Sequence, residues 1–470
     1  MNIWWPSCSL STLAILLSLC LSHAQNTEEA CPLTSGEECI VNLHGKSGDG
    51  YYTEIIIGTP PQKLKALIDT GSSNVAIAAL PHPQISKFFN QTISSTLRPL
   101  HVSVDVPYSQ GSWRGCLVSD VVRLPETNAP TVRCDVALIK HSQNFYINGS
   151  EWQGIVGLAF KPIALPNSSV ATWLDAAQHV RLGQLGSVSV ALCGPGPTGR
   201  HHGYMEFGET RRALLAGRFH SAAIFRSWFY EILITNMTVA GRRLALPCVE
   251  FNTDKTIVDT GTTNLRLPER VFSEVIAVVQ EQAAFLADRS HTFWTGKGRL
   301  CFPTVNATHP WDYFPNITLS LQTNKTASFD LTVTSRSYLR EAFDGPAGNE
   351  RCFKLGIDSS TTGSVLGVVV LEGLYVRFNL HTRTVDLARS VCGPEVTLRG
   401  PHATADSTGC GYIPRSAYSR TVHIAMYVVG GMLVFICIPL VMAAVSCLRN
   451  RPWRRRPGRA SFSLLVDYRE

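Results

Sequence analysis

Metal-binding signatures are missing from this sequence. Its 14 cysteines contain no Cys-x-x-Cys pair and its 14 histidines form no cluster, so a zinc site is not expected. The adjacent pair His201-His202 reads as a solvated turn. Charge is also scarce: 16% of residues are charged against 45% hydrophobic, which excludes a largely disordered chain. Basic charge is nearly absent from the body. Of the formal +7, the segment Arg449 to Glu470 holds +5, and the other 448 residues share +2. A nucleic-acid partner is therefore not expected.

Long apolar runs are few, and two of them set the topology. Leu10 to Leu21 is followed by Ser22-His23-Ala24, small residues at the −3 and −1 positions of a signal-peptidase site. Residues 1–24 are read as a cleaved signal, although the leading residues lack Lys or Arg; an N-terminal anchor is the alternative, disfavoured by the short run. Ile424 to Cys447 carries no formal charge and is long enough to cross a bilayer. Arg449, Arg451 and Arg454 to Arg456 follow at once, which places the C-terminus in the cytosol. The expected organisation is a short N-terminal segment at 25–44, a body at 45–412, a stalk at 413–420, a span at 421–448 and a basic tail at 449–470. Such a single-pass type I protein belongs to the secretory pathway, at the cell surface or in endosomes. Ten cysteines outside signal and span, an even number, predict disulfides. Seven sequons, at Asn90, Asn148, Asn167, Asn236, Asn306, Asn316 and Asn324, fall on the same side and are candidate glycosylation sites.

Inside the body one short pattern occurs twice. Leu67-Ile68-Asp69-Thr70-Gly71-Ser72-Ser73-Asn74 is repeated as Ile257-Val258-Asp259-Thr260-Gly261-Thr262-Thr263-Asn264. Each Asp ends a buried apolar run, and burying one ionised carboxylate costs several kcal/mol. The repeat predicts two similar lobes, residues 45–225 and 226–412, whose carboxylates meet. Two carboxylates about 3 Å apart hold one proton between them. The ionised member can activate a water, and the protonated member can donate to a scissile carbonyl. Gly71 and Gly261 allow close backbone approach. Ser72 and Thr262 can bond the outer carboxylate oxygens, and Thr70 and Thr260 can lock the two loops together. No metal and no cofactor is needed for this chemistry, and none is expected.

These loops resemble the pepsin family of aspartic proteases, each being followed downstream by apolar-apolar-Gly in "GIVGLAF" and "SVLGVVV". "IGTPPQKL", "VPYSQGSWRG", "INGSEWQGIVGLA" and "TTGSVLGVVVLEGLYVRF" are similar to the membrane-anchored β-secretase (memapsin) branch. The resemblance implies a mainly β, bilobal fold with a C-terminal transmembrane helix. It implies an endopeptidase with catalytic Asp69 and Asp259, acting on polypeptides, in particular type I membrane-protein stalks. A catalytically inactive, protease-like binding or adhesion ectodomain is the alternative. Loss of an Asp, or a bulky residue at Gly71 or Gly261, would favour it, and neither is present. By resemblance "VPYSQGSW" is a substrate-binding flap of Tyr108, Gln110 and Trp113, in which Tyr108 packs over the substrate side chain and hydrogen-bonds Trp113; its plainer reading is a surface hairpin with a Tyr–Trp pair. Arg266 resembles a cleft-lining Arg facing polar or acidic side chains, or is otherwise solvated.

The resemblance also implies disulfides Cys193–Cys392, Cys248–Cys410 and Cys301–Cys352. Four more cysteines depart from it. Cys116 and Cys134 flank a "PETNAP" turn, and hairpin pairing would set them opposite each other, where a disulfide can close; Cys31–Cys39 is a weaker pairing. A basic pro-segment is also missing. Between Gln25 and Tyr51 the sole Lys or Arg is Lys46, so a mature chain starting near Gln25 without basic-site processing is expected. "SLL" at Ser463–Leu465 resembles an endosomal dileucine signal without its usual acidic residues.

Overall fold

A computed structural model describes residues 40–46, 50–108, 111–125, 130–146, 150–180, 185–196, 199–208, 210–284, 291–303, 310–342, 350–412 and 417–449. The signal segment, Cys31, Cys39, Gln110, Asn148, Asn306, residues 413–416 of the stalk and the tail from 450 lie outside them. The chain divides into two units, Met1–Tyr412 and Ile413–Glu470.

In the larger unit the apolar run before the first Asp forms β1 (Gln62–Asp69). Its burial becomes continuous from Ala66 to Asp69, as expected of a strand covered on both faces. The chain turns through Thr70 to Asn74 into β2 (Val75–Ala78). It then builds β3 (Arg98–Pro107), β4 (Ser112–Arg123) and β5 (Val132–Gln143), an antiparallel meander. β6 (Gly154–Gly157) inserts between β1 and β2, parallel to β1 with Asp69 opposite Gly157, and antiparallel to β2. β5 flanks β2 in parallel.

The same weave recurs around the second Asp. β7 (Thr256–Val258) leads through the second loop to β8 (Leu265–Pro268), and β9 (Ile357–Ser360) and β10 (Ser364–Leu366) follow later. β10 runs parallel to β7 and antiparallel to β8, while β9 flanks β8 in parallel. The downstream glycines of the repeat have a steric role here. A Cβ on Gly157 would stand 2.6 Å from the Ser73 carbonyl carbon, and one on Gly367 would stand 2.4 Å from the Asn264 oxygen.

The two halves are not separated cleanly at residue 225. Ser187–Pro195 pairs with Leu374–Asn379, and His220–Ala223 pairs with Thr384–Arg389, within one large sheet that also contains β1 to β6. Strands from the end of the body thus complete a sheet of the first half. The buried core runs continuously from Val41 to Val396, and a smaller cluster of Tyr52, Trp113, Phe145, Tyr146 and Trp152 lies under the β3–β4 hairpin. Helix α1 (Glu269–Gln282) begins behind Pro268 and buries Val271, Val275, Ile276, Val278 and Val279. It packs and carries no chemistry.

Among the described residues the disulfides Cys193–Cys392, Cys248–Cys410 and Cys301–Cys352 are closed. The expected Cys116–Cys134 bond is not: both thiols are free. The β4–β5 register sets Cys116 opposite Leu138 and Cys134 opposite Asp120. The two cysteines are therefore offset by four residues, about 13 Å along the strands, well beyond disulfide reach. Burial, with the charges of Asp135 and Asp120 behind it, pushes the Cys134 thiol up. Alkylation of the native, unreduced protein should therefore label Cys116 and reach Cys134 only after unfolding; a mapped Cys116–Cys134 peptide would overturn this register. His201 is also not in a solvated turn. It is 7% exposed, with Nδ1 3.1 Å from Oε1 of Glu372, whereas His202 is exposed. Of the described sequons, Asn90, Asn167, Asn316 and Asn324 are exposed, and Asn236 is half-buried within a paired strand.

The second unit contains helix α2 (Ala417–Arg449), interrupted in composition only by Pro439. Its stretch Ile424–Ser446 has 23 residues and a mean hydropathy of 2.7. At 1.5 Å per residue it extends about 35 Å, enough to cross a hydrocarbon core of about 30 Å.

Candidate active site

The two Asp-Thr-Gly loops meet at the ends of β1 and β7, and their hydrogen bonds mirror each other. The Gly71 amide donates to Asp69 Oδ1 at 2.8 Å and the Ser72 hydroxyl to Asp69 Oδ2 at 2.5 Å. The Gly261 amide donates to Asp259 Oδ1 at 2.7 Å and the Thr262 hydroxyl to Asp259 Oδ2 at 2.7 Å. Each carboxylate therefore receives two donors from its own loop. The threonines interlock the loops. Thr70 Oγ1 donates to the Val258 carbonyl at 2.9 Å and accepts from the Thr260 amide at 3.0 Å. Thr260 Oγ1 donates to the Ile68 carbonyl at 2.6 Å and accepts from the Thr70 amide at 3.1 Å. Both threonines are 1% exposed, so these bonds are enclosed and costly to leave unmade.

Each glycine faces the opposite aspartate. A Cβ on Gly71 would lie 2.6 Å from Asp259 Cγ, and one on Gly261 would lie 2.4 Å from Asp69 Oδ1. No side chain larger than hydrogen fits there without moving a carboxyl group. Asp69 and Asp259 are 5% and 7% exposed. Burial, and next the charge of Asp259, hold the Asp69 carboxyl well above the usual carboxylate range, against the opposing donors Ser72 and Gly71. Two buried carboxyls in hydrogen-bond reach retain a proton that isolated aspartates would lose.

The pair lies in a cleft of about 520 Å³. Tyr108, Phe145, Trp152 and Ile155 form one wall, and Ile257, Thr263, Asn264, Arg266, Asp358 and Thr362 the other. Tyr108 stands at the tip of the β3–β4 hairpin, where its amide donates to the Gly111 carbonyl at 2.9 Å. Its ring stacks on Phe145 at 5.6 Å, and its hydroxyl accepts from Trp113 Nε1 at 3.3 Å. Burial and the Asp69 charge push the Tyr108 phenol up, so it stays protonated and neutral. Trp113 itself is 1% exposed and supports Tyr108 from below rather than lining the cleft.

Asp69, Gly71, Tyr108, Asp259, Gly261, Thr262 and Arg266 line one cavity. Phe145, Trp152, Lys255 and Asp358 also line it, and no role was read for them from the sequence. The aromatic pair had a usable signal, since Phe145 precedes and Trp152 ends the "INGSEW" segment just before β6. Asp358 had none, because its neighbours come from distant segments.

Comparison with known proteins agrees with this geometry. The family model for eukaryotic aspartyl protease matches residues 50–390. A β-secretase from Strongylocentrotus purpuratus is 36% identical over 456 residues, covering 90% of this chain and 84% of its own. Gastricsins from Homo sapiens and Macaca fuscata fuscata are 26% identical over 240 residues, covering 49% of this chain and 58% and 60% of theirs.

Proposed function

This chain belongs to the eukaryotic aspartyl protease family, and we propose that it is a membrane-anchored endopeptidase that cuts the ectodomains of other membrane proteins. It is an aspartic-type endopeptidase and a homologue of β-secretase. In the proposed reaction Asp69 and Asp259 hold one proton and one water between them. The ionised carboxylate takes a proton from the water as it attacks the scissile carbonyl. The protonated one donates to the carbonyl oxygen, giving a gem-diol. The proton taken from the water then passes to the leaving amine as the C–N bond breaks, and a gem-diol hydroxyl returns a proton to the second carboxylate. The Gly71, Ser72, Gly261 and Thr262 donors stabilise the charged form, and burial opposes it, which keeps the pair singly ionised. Tyr108 would close over the substrate beside the scissile bond. The mirrored hydrogen bonding of the two carboxylates is the observation that carries this reading. A peptide-library cleavage assay across pH tests it, with Asp259→Asn as control; equal cleavage by that variant would sink the mechanism.

The membrane role rests on α2 and on the short stalk. About ten residues, 411–420, join the last body cysteine to the apolar span. Such a linker reaches at most about 35 Å fully extended, and less with α2 starting at Ala417. Tethering of this kind raises the effective concentration of substrate stalks on the same membrane. A soluble form ending at Arg420 is therefore expected to cut peptides normally but to shed full-length membrane substrates poorly. Equal shedding by soluble and anchored forms at matched concentration would show that proximity does not select substrates. In the same reading the body faces the lumen or the cell exterior, and exposed Asn90, Asn167, Asn316 and Asn324 carry glycans.

A further inference from the structure

We propose that Asp358 is a specificity-determining residue of the cleft: it balances the charge of Arg266 beside it, so the pocket they share takes an uncharged amide side chain of the substrate in preference to a carboxylate. The inference rests on the proposed peptide-cutting role and adds a substrate class to it. Arg266 on β8 and Asp358 on β9 are register partners on adjacent parallel strands, a spacing of about 4.8 Å, and both line the cleft. Asp358 is held in place, since its Oδ2 accepts from Asn264 Nδ2 at 2.7 Å. On its other side the chain passes close at Gly296, where a Cβ would stand 2.3 Å from Asp358 Oδ1.

Arg340, on the strand Leu339–Glu341, interacts with Asp358 on one side and Glu372 on the other. Among the described cleft-lining residues Arg266 and Asp358 thus form a pair of opposite charge, and Lys255, the other cation of the lining, is paired with Asp254 at 2.6 Å. Burial holds the Asp358 carboxyl above the usual carboxylate range, with Asn264, Arg266 and Arg340 opposing it. A substrate carboxylate entering here meets Asp358 as well as Arg266, so its Coulomb gain is largely cancelled while its desolvation cost remains. A primary amide has little charge to desolvate. The same wall also holds one enclosed donor, Arg266 Nε, and one enclosed acceptor, Asn264 Oδ1, without partners among the described residues. An amide can satisfy a donor and an acceptor together, where a carboxylate satisfies only the donor.

The test uses the full-length protein in detergent and peptides matched except for Gln against Glu at each successive position, assayed at pH 6. The wild type should prefer Gln at one position. Asp358→Asn, which keeps the shape and the Asn264 contact, should shift the Gln-to-Glu ratio of kcat/KM toward Glu by about tenfold at that position alone. Asp358→Ser should do the same, and Arg266→Gln should move the ratio the other way. An unchanged ratio in both Asp358 variants, with melting temperatures near wild type, overturns the inference, as does an equal shift at every position. Failure of the wild type to cut any peptide would overturn the proteolytic reading, and this inference with it.

Discussion

Asp69→Asn should abolish cleavage and, at neutral pH, make the protein more stable. The activity term follows from the shared proton. An Asn at 69 cannot hold or release it, so the loss should reach at least about 10³-fold, the scale of a general acid–base contribution. The stability term follows from linkage. The Asp69 carboxyl is held well above the usual carboxylate range by burial and by Asp259. A carboxyl with a raised folded-state pKa stabilises the fold fully below its unfolded value, near 4, and loses that contribution as pH rises through the folded value. At pH 7.5 the wild type therefore carries a penalty that Asn lacks. Relief of about 1–3 kcal/mol is expected, read as a rise of a few degrees in melting temperature. The gain should shrink as pH falls toward 4. Wild-type activity should be bell-shaped on the acidic side of neutrality, falling when both carboxyls are protonated and again when both are ionised. A melting temperature that drops at pH 7.5, with activity retained, would contradict both halves of the argument.

What the sequence made legible was local and repeated. The two Asp-Thr-Gly loops, the apolar-apolar-Gly motifs and the apolar span are each short contiguous segments readable from the residues themselves, whereas the disulfide partners, 199, 162 and 51 residues apart, came only from the resemblance. The errors came where register or long-range pairing decided the outcome. Cys116 and Cys134 flank a turn, but the hairpin centre lies two residues nearer the C-terminal side than an opposed pair requires, and Cys116 meets Leu138 instead. His201 sits in a polar, turn-like stretch, yet its strand returns through the sheet and brings it to Glu372. Asp358 becomes a neighbour of Arg266 only through the parallel pairing of β8 and β9. A helical or hairpin period reports none of these contacts, because the first depends on the exact register of one hairpin and the other two on strands far apart in the chain.

Gly261→Ala is the smallest change expected to disable the site, and it separates steric fit from charge. The added methyl carbon would start 2.4 Å from Asp69 Oδ1 and 3.2 Å from Asp259 Oδ1. Something must then move. The carboxyl is pinned by the Gly71 amide and the Ser72 hydroxyl, and the loop is pinned by the Thr70–Thr260 lock. Relief requires tilting a carboxyl or parting the loops, either of which misplaces the shared proton. Displacements near 1 Å in such a constellation cost about 10²-fold in rate, and overpacking costs about 1–3 kcal/mol in stability. Gly71→Ala should behave alike, since its methyl would meet Asp259 at 2.6 Å. Gly241→Ala is the contrast. Gly241 has a φ of 74° with nothing within 4 Å of its would-be Cβ, so alanine there should cost about 1 kcal/mol of backbone strain and leave kcat untouched. Kinetics and melting curves on the three variants distinguish the cases. If Gly261→Ala cuts peptides at the wild-type rate, the two carboxyls do not need the spacing that these loops impose, and the close approach of each glycine to the opposite aspartate has no catalytic consequence.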